Sequence, residues 1–182
     1  LLDKIGNIGS DTGLLFFDDV RVPISNTIGD ANRGFQQQMM QFQDERMVVV
    51  VTAPVTARRL WELTLQHCQE RKLFGKPLAK MQVTQHKLVD LMIQITAAQE
   101  LSYRCIRRMV RGEDATLDIS MAKVFATTMS QLVATSCVQL FGGAGYCWEN
   151  PAARSFVDSR LASIGGGADE VMEQVVAKIL GI

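Results

Sequence analysis

From Gly34 onward, polar and apolar positions recur at helical spacing in a series of stretches, and the first of them organises the chain. Within Gly34 to Gly75 the first turns hold no helix breaker, a continuous helix would run from Gln36 to Glu70, and Met47 to Val51 is apolar all round. That pattern belongs to a helix buried in a large core. Pro54 is the objection: it lacks an N–H and crowds the carbonyl of Val50, so a kink or a change of helix is expected there. After a break at Phe74-Gly75-Lys76-Pro77, a second helix is expected over about Met81 to Arg111. Its face carries Leu88, Met92, Ile95, Ser102, Ile106 and Met109, and Gly112 stops it. Asp114 or Thr116 caps a third helix, whose stripe Met121, Phe125, Leu132, Leu140 ends at Gly142-Gly143. Asn150-Pro151 opens a short fourth segment. The last helix begins near Ala168, with Asp169 and Glu170 in its first turn, Val171, Val175 and Ile179 on one side and Lys178 near its end.

The first 25 residues differ. Thr12 to Pro23 (TGLLFFDDVRVP) reads as strand, rich in aromatic and β-branched residues and bounded by turn signals. A lone strand pair is not stable in water, so its partners are expected outside this sequence. Ile24 to Arg33 connects into the helices. The expected class is all-α, an antiparallel four-helix-type bundle preceded by the last strands of a β-domain.

At 182 residues the chain suits one domain with an appendage. It also opens mid-pattern, as a fragment of a longer protein would. Net charge is zero with both signs mixed, which leaves no nucleic-acid footprint. Arg104, Arg107, Arg108 and Arg111 read as a solvated flank. Cys68, Cys105, Cys137 and Cys147 lack metal-site or disulfide spacing and read as buried thiols in a reducing compartment; His67 and His86 read as structural. No uninterrupted apolar run reaches membrane-spanning length.

Two glycine-rich turns could hold a ligand, Gln139 to Tyr146 after one helix and Gly165-Gly166-Gly167 before another. Glycines let backbone N–H groups converge, and a helix N-terminus adds partial positive charge suited to an anion. For Gly142-Gly143 the plainest reading is a helix stop. Three glycines in a row raise the entropic cost of ordering the turn, which close approach of a ligand would justify. Charged triplets sit near the two ends of the first helix, Asp44-Glu45-Arg46 and Glu70-Arg71-Lys72. Glu45 and Arg71 are 26 positions apart, about 39 Å along a helix axis. If both serve a ligand site, two subunits must build it.

The run Phe17-Asp-Asp-Val-Arg-Val-Pro23, then Gly34-Phe35, then Glu70-Arg71-Lys72-Leu73-Phe74-Gly75-Lys76-Pro77 resembles the acyl-CoA dehydrogenase family. Gln139 to Tyr146, Pro151, Asp158-Ser-Arg160 and Ile164 to Glu170 continue the resemblance in order over essentially the whole chain. It implies that residues 1–25 are the tail of the family's middle β-domain and 26–182 its C-terminal helical domain. It further implies FAD, an acyl-CoA substrate, α,β-dehydrogenation, a homodimer or homotetramer, and electron-transfer flavoprotein as a possible acceptor. Under that resemblance Arg71 reaches the FAD pyrophosphate of a neighbouring subunit. Phe74 and Gln82 contact the same flavin, and Gln139, Leu140, Phe141, Gly142 and Gly143 line its adenosine portion. Ala168, Asp169 and Glu170 stand where the family commonly has Thr-Ser-Glu beside the cofactor, so the Thr hydroxyl is missing here. The compartment implied is the mitochondrial matrix in a eukaryote and the cytoplasm in a bacterium.

Most members of the family place the catalytic Glu in Tyr-Glu-Gly-Thr, where this chain has Gly165-Gly166-Gly167-Ala168. A branch resembling the isovaleryl and long-chain enzymes has Gly there and carries its Glu in the helix, which Asp44-Glu45-Arg46 matches. The resemblance therefore implies Glu45 as base, with Asp44, Arg46, Gly165 and Gly166 around the substrate. A carboxylate buried beside an acyl chain is a workable base near neutral pH. Read from the residues alone, Gln38, Gln41, Glu45 and Thr52 form a polar stripe that could be merely a solvated face, and Arg71 a surface cation favoured by the helix dipole. Two other functions stay open: a non-catalytic oligomerisation module and an acyl-CoA oxidase.

Overall fold

In the computed structural model, which describes residues 1–182, α1 runs unbroken from Gly34 to Glu70 with Pro54 inside it. The chain does not change helix at Pro54. Its buried face is Arg46, Met47, Val50, Ala53, Pro54, Ala57, Leu60, Thr64 and Cys68, while Val48 is 61% exposed. The run Met47 to Val51 is therefore not enclosed on all sides; α1 keeps one outward stripe.

A two-residue hairpin follows, β1 (Lys72–Leu73) paired antiparallel with β2 (Lys76–Pro77). Phe74 and Gly75 at its tip both take positive φ, +49° and +78°, the twist that a tight hairpin demands. α2 spans Gln82–Val110 and ends as expected. Gly112 is left-handed at φ +68°, and Glu113 N–H donates back to Arg108 O at 3.1 Å. α3 spans Thr116–Phe141, and the Asp114 carboxylate accepts the Thr116 N–H at 2.9 Å. α4 (Pro151–Ala162) starts at Asn150, whose Oδ1 accepts the Ala152 N–H at 2.9 Å, and α5 (Asp169–Leu180) closes the chain.

α3 is the central helix, packed against α1, α2, α4 and α5. Neighbours on several sides explain why it buries small residues, among them Ala122, Ala126, Ala134 and Cys137, together with Ile119, Met129 and Val133. The stripe expected from Met121, Phe125, Leu132 and Leu140 is displaced: Met121 and Leu132 face outward. Large side chains would hold the neighbouring helices apart, so the apolar period misplaced Met121 and Leu132, while Phe125 does pack against the core. Thr116–Tyr146 is long and apolar enough to cross a membrane by length and composition alone, yet in this fold it is the core element. α5 likewise buries Met172 rather than Val171 and Ile179.

The arginine flank of α2 is not merely solvated. Arg104 Nε donates to the buried Asp118 of α3 at 2.9 Å, Arg108 also binds Asp118, and Arg108 and Arg111 both bind Glu113. Three cysteines are buried as expected, and burial pushes the thiols of Cys105 and Cys137 up to about 11; Cys147 is exposed instead.

The strand expected over Thr12 to Pro23 is not formed. Those residues are exposed and join no ladder, with a bend at Asp18–Asp19 where Asp19 takes φ +49°, because no other segment of this chain offers them a pairing edge. The segment before them does touch the bundle: Asn7 N–H donates to Asp158 Oδ1 on α4 at 2.6 Å.

Candidate active site

Glu45 lies near the N-terminal end of α1, where its exposed carboxylate accepts the Gln41 amide at 3.1 Å. It lines an open cavity of about 320 Å³ with Val49 of the same helix, Asp158 and Ala162 of α4, Asn7, and Gly165-Gly166. The structure thus brings Glu45 to the same space as the glycines that stand in the Tyr-Glu-Gly-Thr position. Asp44 is exposed on α1 and does not line this cavity.

Arg46 is turned to the glycine turn. It is buried, and its Nε donates to Gly166 O at 2.8 Å while Nη1 donates to Gln43 Oε1 at 3.1 Å. Burial pushes its pKa down, and the neighbouring Glu45 charge opposes that shift. A second buried cation holds the next residue of the turn. Lys123 of α3, 0% exposed, donates from Nζ to Gly167 O at 2.5 Å and to Asp169 Oδ1 at 3.1 Å. Thr127 Oγ1 also donates to that carboxylate, at 3.2 Å. Two cations from different helices thereby fix the turn beside Glu45.

This packing also accounts for two of the three glycines. Gly166 is left-handed at φ +69°. Gly167 sits at φ +121°, and a Cβ there would lie 2.7 Å from Met172 Cε. Fold geometry by itself is enough to require them. Gly165 has ordinary room for a Cβ, 3.5 Å from Leu161 O, so it is the glycine whose missing side chain leaves the cavity wider.

At the other end of α1, Arg71 is the exposed C-terminal cap. It lines a cavity of about 580 Å³ with His67, Leu73, Leu78 and the run Gln139, Leu140, Phe141, Gly142, Gly143. The sequence separates Arg71 from that run widely, and the fold joins them. The His67 ring packs on Phe141 at 4.6 Å between centroids, and burial, then the Arg71 charge, push the His67 pKa down. Gly142 stops α3 at φ +64°, but Gly143 has no such conformational need, and a Cβ on it would meet nothing within 4 Å. Its backbone is left bare toward the outside.

Phe74 is 95% exposed in its left-handed conformation, and Gln82 is exposed at the start of α2; neither lines the Arg71 cavity. Ala168, Asp169 and Glu170 line a third, polar cavity of about 370 Å³ with Gln131 and Arg160, and Asp169 is already committed to Lys123. The sequence reading missed Lys123, Asn7 and His67 as site-builders and gave Asp158 no role. Asp158 stands inside the motif Asp158-Ser-Arg160; Lys123 gives no signal, since a lone Lys in a helix reads as solvated.

Because α1 is continuous, Glu45 and Arg71 are held about 39 Å apart. The first builds a cavity suited to an apolar group next to a carboxylate, and the second one suited to an anion beside rings.

Residues 32–181 match the family described as acyl-CoA dehydrogenase, C-terminal domain. The long-chain specific acyl-CoA dehydrogenase of pig (Sus scrofa) mitochondria is 38% identical over 177 residues, 97% of this chain and 41% of that protein. Among solved structures, an acyl-CoA dehydrogenase from Geobacillus kaustophilus is 34% identical with a TM-score of 0.97, covering 100% of this chain and 48% of that one. Butyryl-CoA dehydrogenase from Megasphaera elsdenii gives a TM-score of 0.94 at 35% identity over 100% of this chain and 47% of that one. The chain therefore spans less than half the length of the relatives it matches. Helical architecture, motif order and family match agree, and the chain belongs to the acyl-CoA dehydrogenase family.

Proposed function

We propose that this chain is the C-terminal part of an FAD-dependent acyl-CoA dehydrogenase in which Glu45 removes the proton α to the thioester carbonyl. The observation that carries the reading is the shared cavity: Glu45 faces the space beside Gly165-Gly166, where the commoner members of the family have their Glu. Arg46 and Lys123 are positioning residues that hold the turn through Gly166 O and Gly167 O. Gly165 keeps the space open for the substrate, and Asp44 stands next to Glu45 in the chain, outside the cavity. In this reading residues 1–25 end the middle β-domain, 26–182 form the helical domain, and the β-domain supplies the wall that would take Glu45 out of water.

The Arg71 cavity fits FAD. A guanidinium beside a bare glycine backbone suits the pyrophosphate, and His67 and Phe141 offer ring surfaces to the adenosine portion. Phe74 and Gln82 would add contacts from the hairpin side, and the backbone at Ala168, Asp169 and Glu170 from the N-terminus of α5. When bound, FAD supplies the acceptor for the β hydrogen and its electron pair. The 39 Å between Glu45 and Arg71 supports two subunits sharing each site, in a homodimer or homotetramer. Electron-transfer flavoprotein is the acceptor we propose, in the mitochondrial matrix of a eukaryote or the cytoplasm of a bacterium.

The test uses the full-length flavoprotein, wild type and Glu45→Gln, mixed anaerobically with acyl-CoA substrates while the flavin absorbance is followed. Wild type bleaches and the variant does not, though flavin and ligand stay bound. Equal bleaching removes Glu45 from the role of base. Absence of bleaching in the wild type with ligands that bind would favour a scaffold over an enzyme.

A further inference from the structure

Arg46 is a buried cation without an ion pair. Its residue is 7% exposed, and no carboxylate lies within salt-bridge distance of it. What it has instead are two neutral acceptors, Gly166 O at 2.8 Å from Nε and Gln43 Oε1 at 3.1 Å from Nη1. The Phe42 ring centre lies 5.7 Å from the guanidinium carbon. A guanidinium that has left water without a counter-ion depends on such acceptors.

Gln43 is itself held. Its Nε2 donates to Thr116 Oγ1, in the first turn of α3, at 2.8 Å. Thr116 gives its own hydroxyl proton to Asp114 Oδ1 at 2.6 Å. That hydroxyl therefore offers Gln43 a lone pair, while Arg46 offers it only donors. A primary amide, with a donor at one end and an acceptor at the other, meets both demands. Four bonds thus run in one line from Gly166 O through Arg46, Gln43 and Thr116 to Asp114, linking the turn beside Glu45 to the corner between α2 and α3. Gln43 does not line the Glu45 cavity. It stands three positions before Arg46, on the same helix face, whereas Glu45 accepts from Gln41 on another.

Resting on the reading of Glu45 as base, we infer that Gln43 is a positioning residue for proton removal. Anchored on Thr116, it holds the Arg46 guanidinium, and through it the Gly166 wall of the cavity, in register with Glu45. Gly166 needs that support. It lies beyond the end of α4 at Ala162 and takes φ +69°, so no continuing helix sets the direction of its carbonyl. Lys123 fixes only the next carbonyl, Gly167 O. A displacement of about 1 Å at a reacting pair slows the bound-state step by roughly 10²-fold, so a modest drift of this wall is felt in the rate.

The experiment follows anaerobic flavin reduction in the full-length flavoprotein by a straight-chain acyl-CoA, for wild type, Gln43→Leu, Gln43→Glu and Thr116→Val, at the plateau of each pH profile. Gln43→Leu removes both ends of the amide at similar volume and lowers the saturating rate about tenfold or more, with the half-saturating concentration held within about twofold. Flavin content stays as in wild type, because the Arg71 cavity lies at the far end of α1. Gln43→Glu keeps an acceptor toward Arg46 and restores most of the rate; a side chain that merely packed would not separate the two variants. Thr116→Val removes only the anchor and lowers the rate in the same sense, by less.

An unchanged rate in Gln43→Leu, or a Gln43→Glu variant as slow as Gln43→Leu, overturns the proposal. Should Gln43→Leu fail to fold, an unchanged rate in Thr116→Val overturns it alone. Hydrogen exchange at Gly165 to Gly167 separates this proposal from the assignment of the base. Faster exchange there in Gln43→Leu, with a Glu45→Gln variant that still bleaches, keeps the link to Gly166 and removes both Glu45 and the catalytic role of Gln43. Unchanged exchange and rate in Gln43→Leu, with a Glu45→Gln variant that no longer bleaches, keeps the base and sinks the link.

Discussion

Ser102 of α2 donates its hydroxyl to the carbonyl oxygen of Val50 at 2.6 Å, the acceptor that Pro54 leaves without its i+4 partner in α1. The same hydroxyl lies 2.9 Å from Ala98 O, so its single proton is shared. Both Ser102 and Val50 are buried, and water is not at hand as a substitute. A buried carbonyl needs a donor, and here a neighbouring helix provides it. Proline in mid-helix thereby becomes compatible with a continuous α1.

Replacing Ser102 with Ala should cost about 1–3 kcal/mol, because it strands the Val50 carbonyl. Pro54→Ala returns an N–H to α1, and in that background the Ser102 substitution should cost much less. Denaturant unfolding of the two single variants and the double variant measures the coupling. Additive losses would show that the serine does not serve the proline.

Lys123, fully buried, pairs with the partly exposed Asp169 at the foot of the glycine turn. Asp169→Ala leaves a buried ammonium with Gly167 O as its remaining acceptor and should destabilise by about 3 kcal/mol. Lys123→Met combined with Asp169→Ala removes the stranded charge. The double variant should therefore be more stable than Asp169→Ala alone, as judged by melting temperature. If it is less stable, the pair is not what holds the turn.

The bundle was legible because its stops and starts are local. Gly112 as a left-handed cap, Asn150-Pro151 as an N-terminus and Phe74-Gly75 as a break each depend on a few adjacent residues. What escaped was anything set by neighbours in space. The buried face of α3 depends on the helices around it, so the period of Met121 and Leu132 misled. Pro54 looked like a break because Ser102 lies 48 positions later. For the site, the motif order gave Glu45, Arg71 and the Gln139–Gly143 run. Single-chain periodicity could not show Lys123 reaching Gly167, nor Arg46 donating to Gly166.

Asp114 gives a pH-dependent check on α3. The Thr116 hydroxyl, then the Thr116 N–H, hold its carboxyl below the usual range. A depressed carboxylate contributes stability above its unfolded pKa of about 3.9 and loses that contribution as pH falls through the folded value. The group is exposed and stands one residue before the N-cap position, Ala115, so its contact with Thr116 is worth no more than about 0.5–1 kcal/mol. Wild type should melt above Asp114→Ala at neutral pH, and the gap should close below about pH 3.9. A gap that persists unchanged into acid would assign the difference to something other than the carboxylate.

Two glycines near the Arg71 cavity separate fold from cofactor. A Cβ on Gly145 would fall 2.6 Å from Val138 O and 2.8 Å from Phe141 Cβ, so Gly145→Ala should lower stability whether or not flavin is present. A Cβ on Gly143 meets nothing, and its φ is not left-handed, so Gly143→Ala should leave the flavin-free protein as stable as before or slightly more so. If the bare backbone there faces the dinucleotide, the methyl group occupies space that the cofactor needs, and flavin content after dialysis should fall several-fold. Arg71→Ala should reduce flavin retention as well, more at low salt than at high, since the lost contact is a screened charge pair. Should Gly143→Ala hold flavin as tightly as wild type while Arg71→Ala does not, the cation would serve the cofactor from outside this cavity. The glycine would then be left as a consequence of how α3 ends.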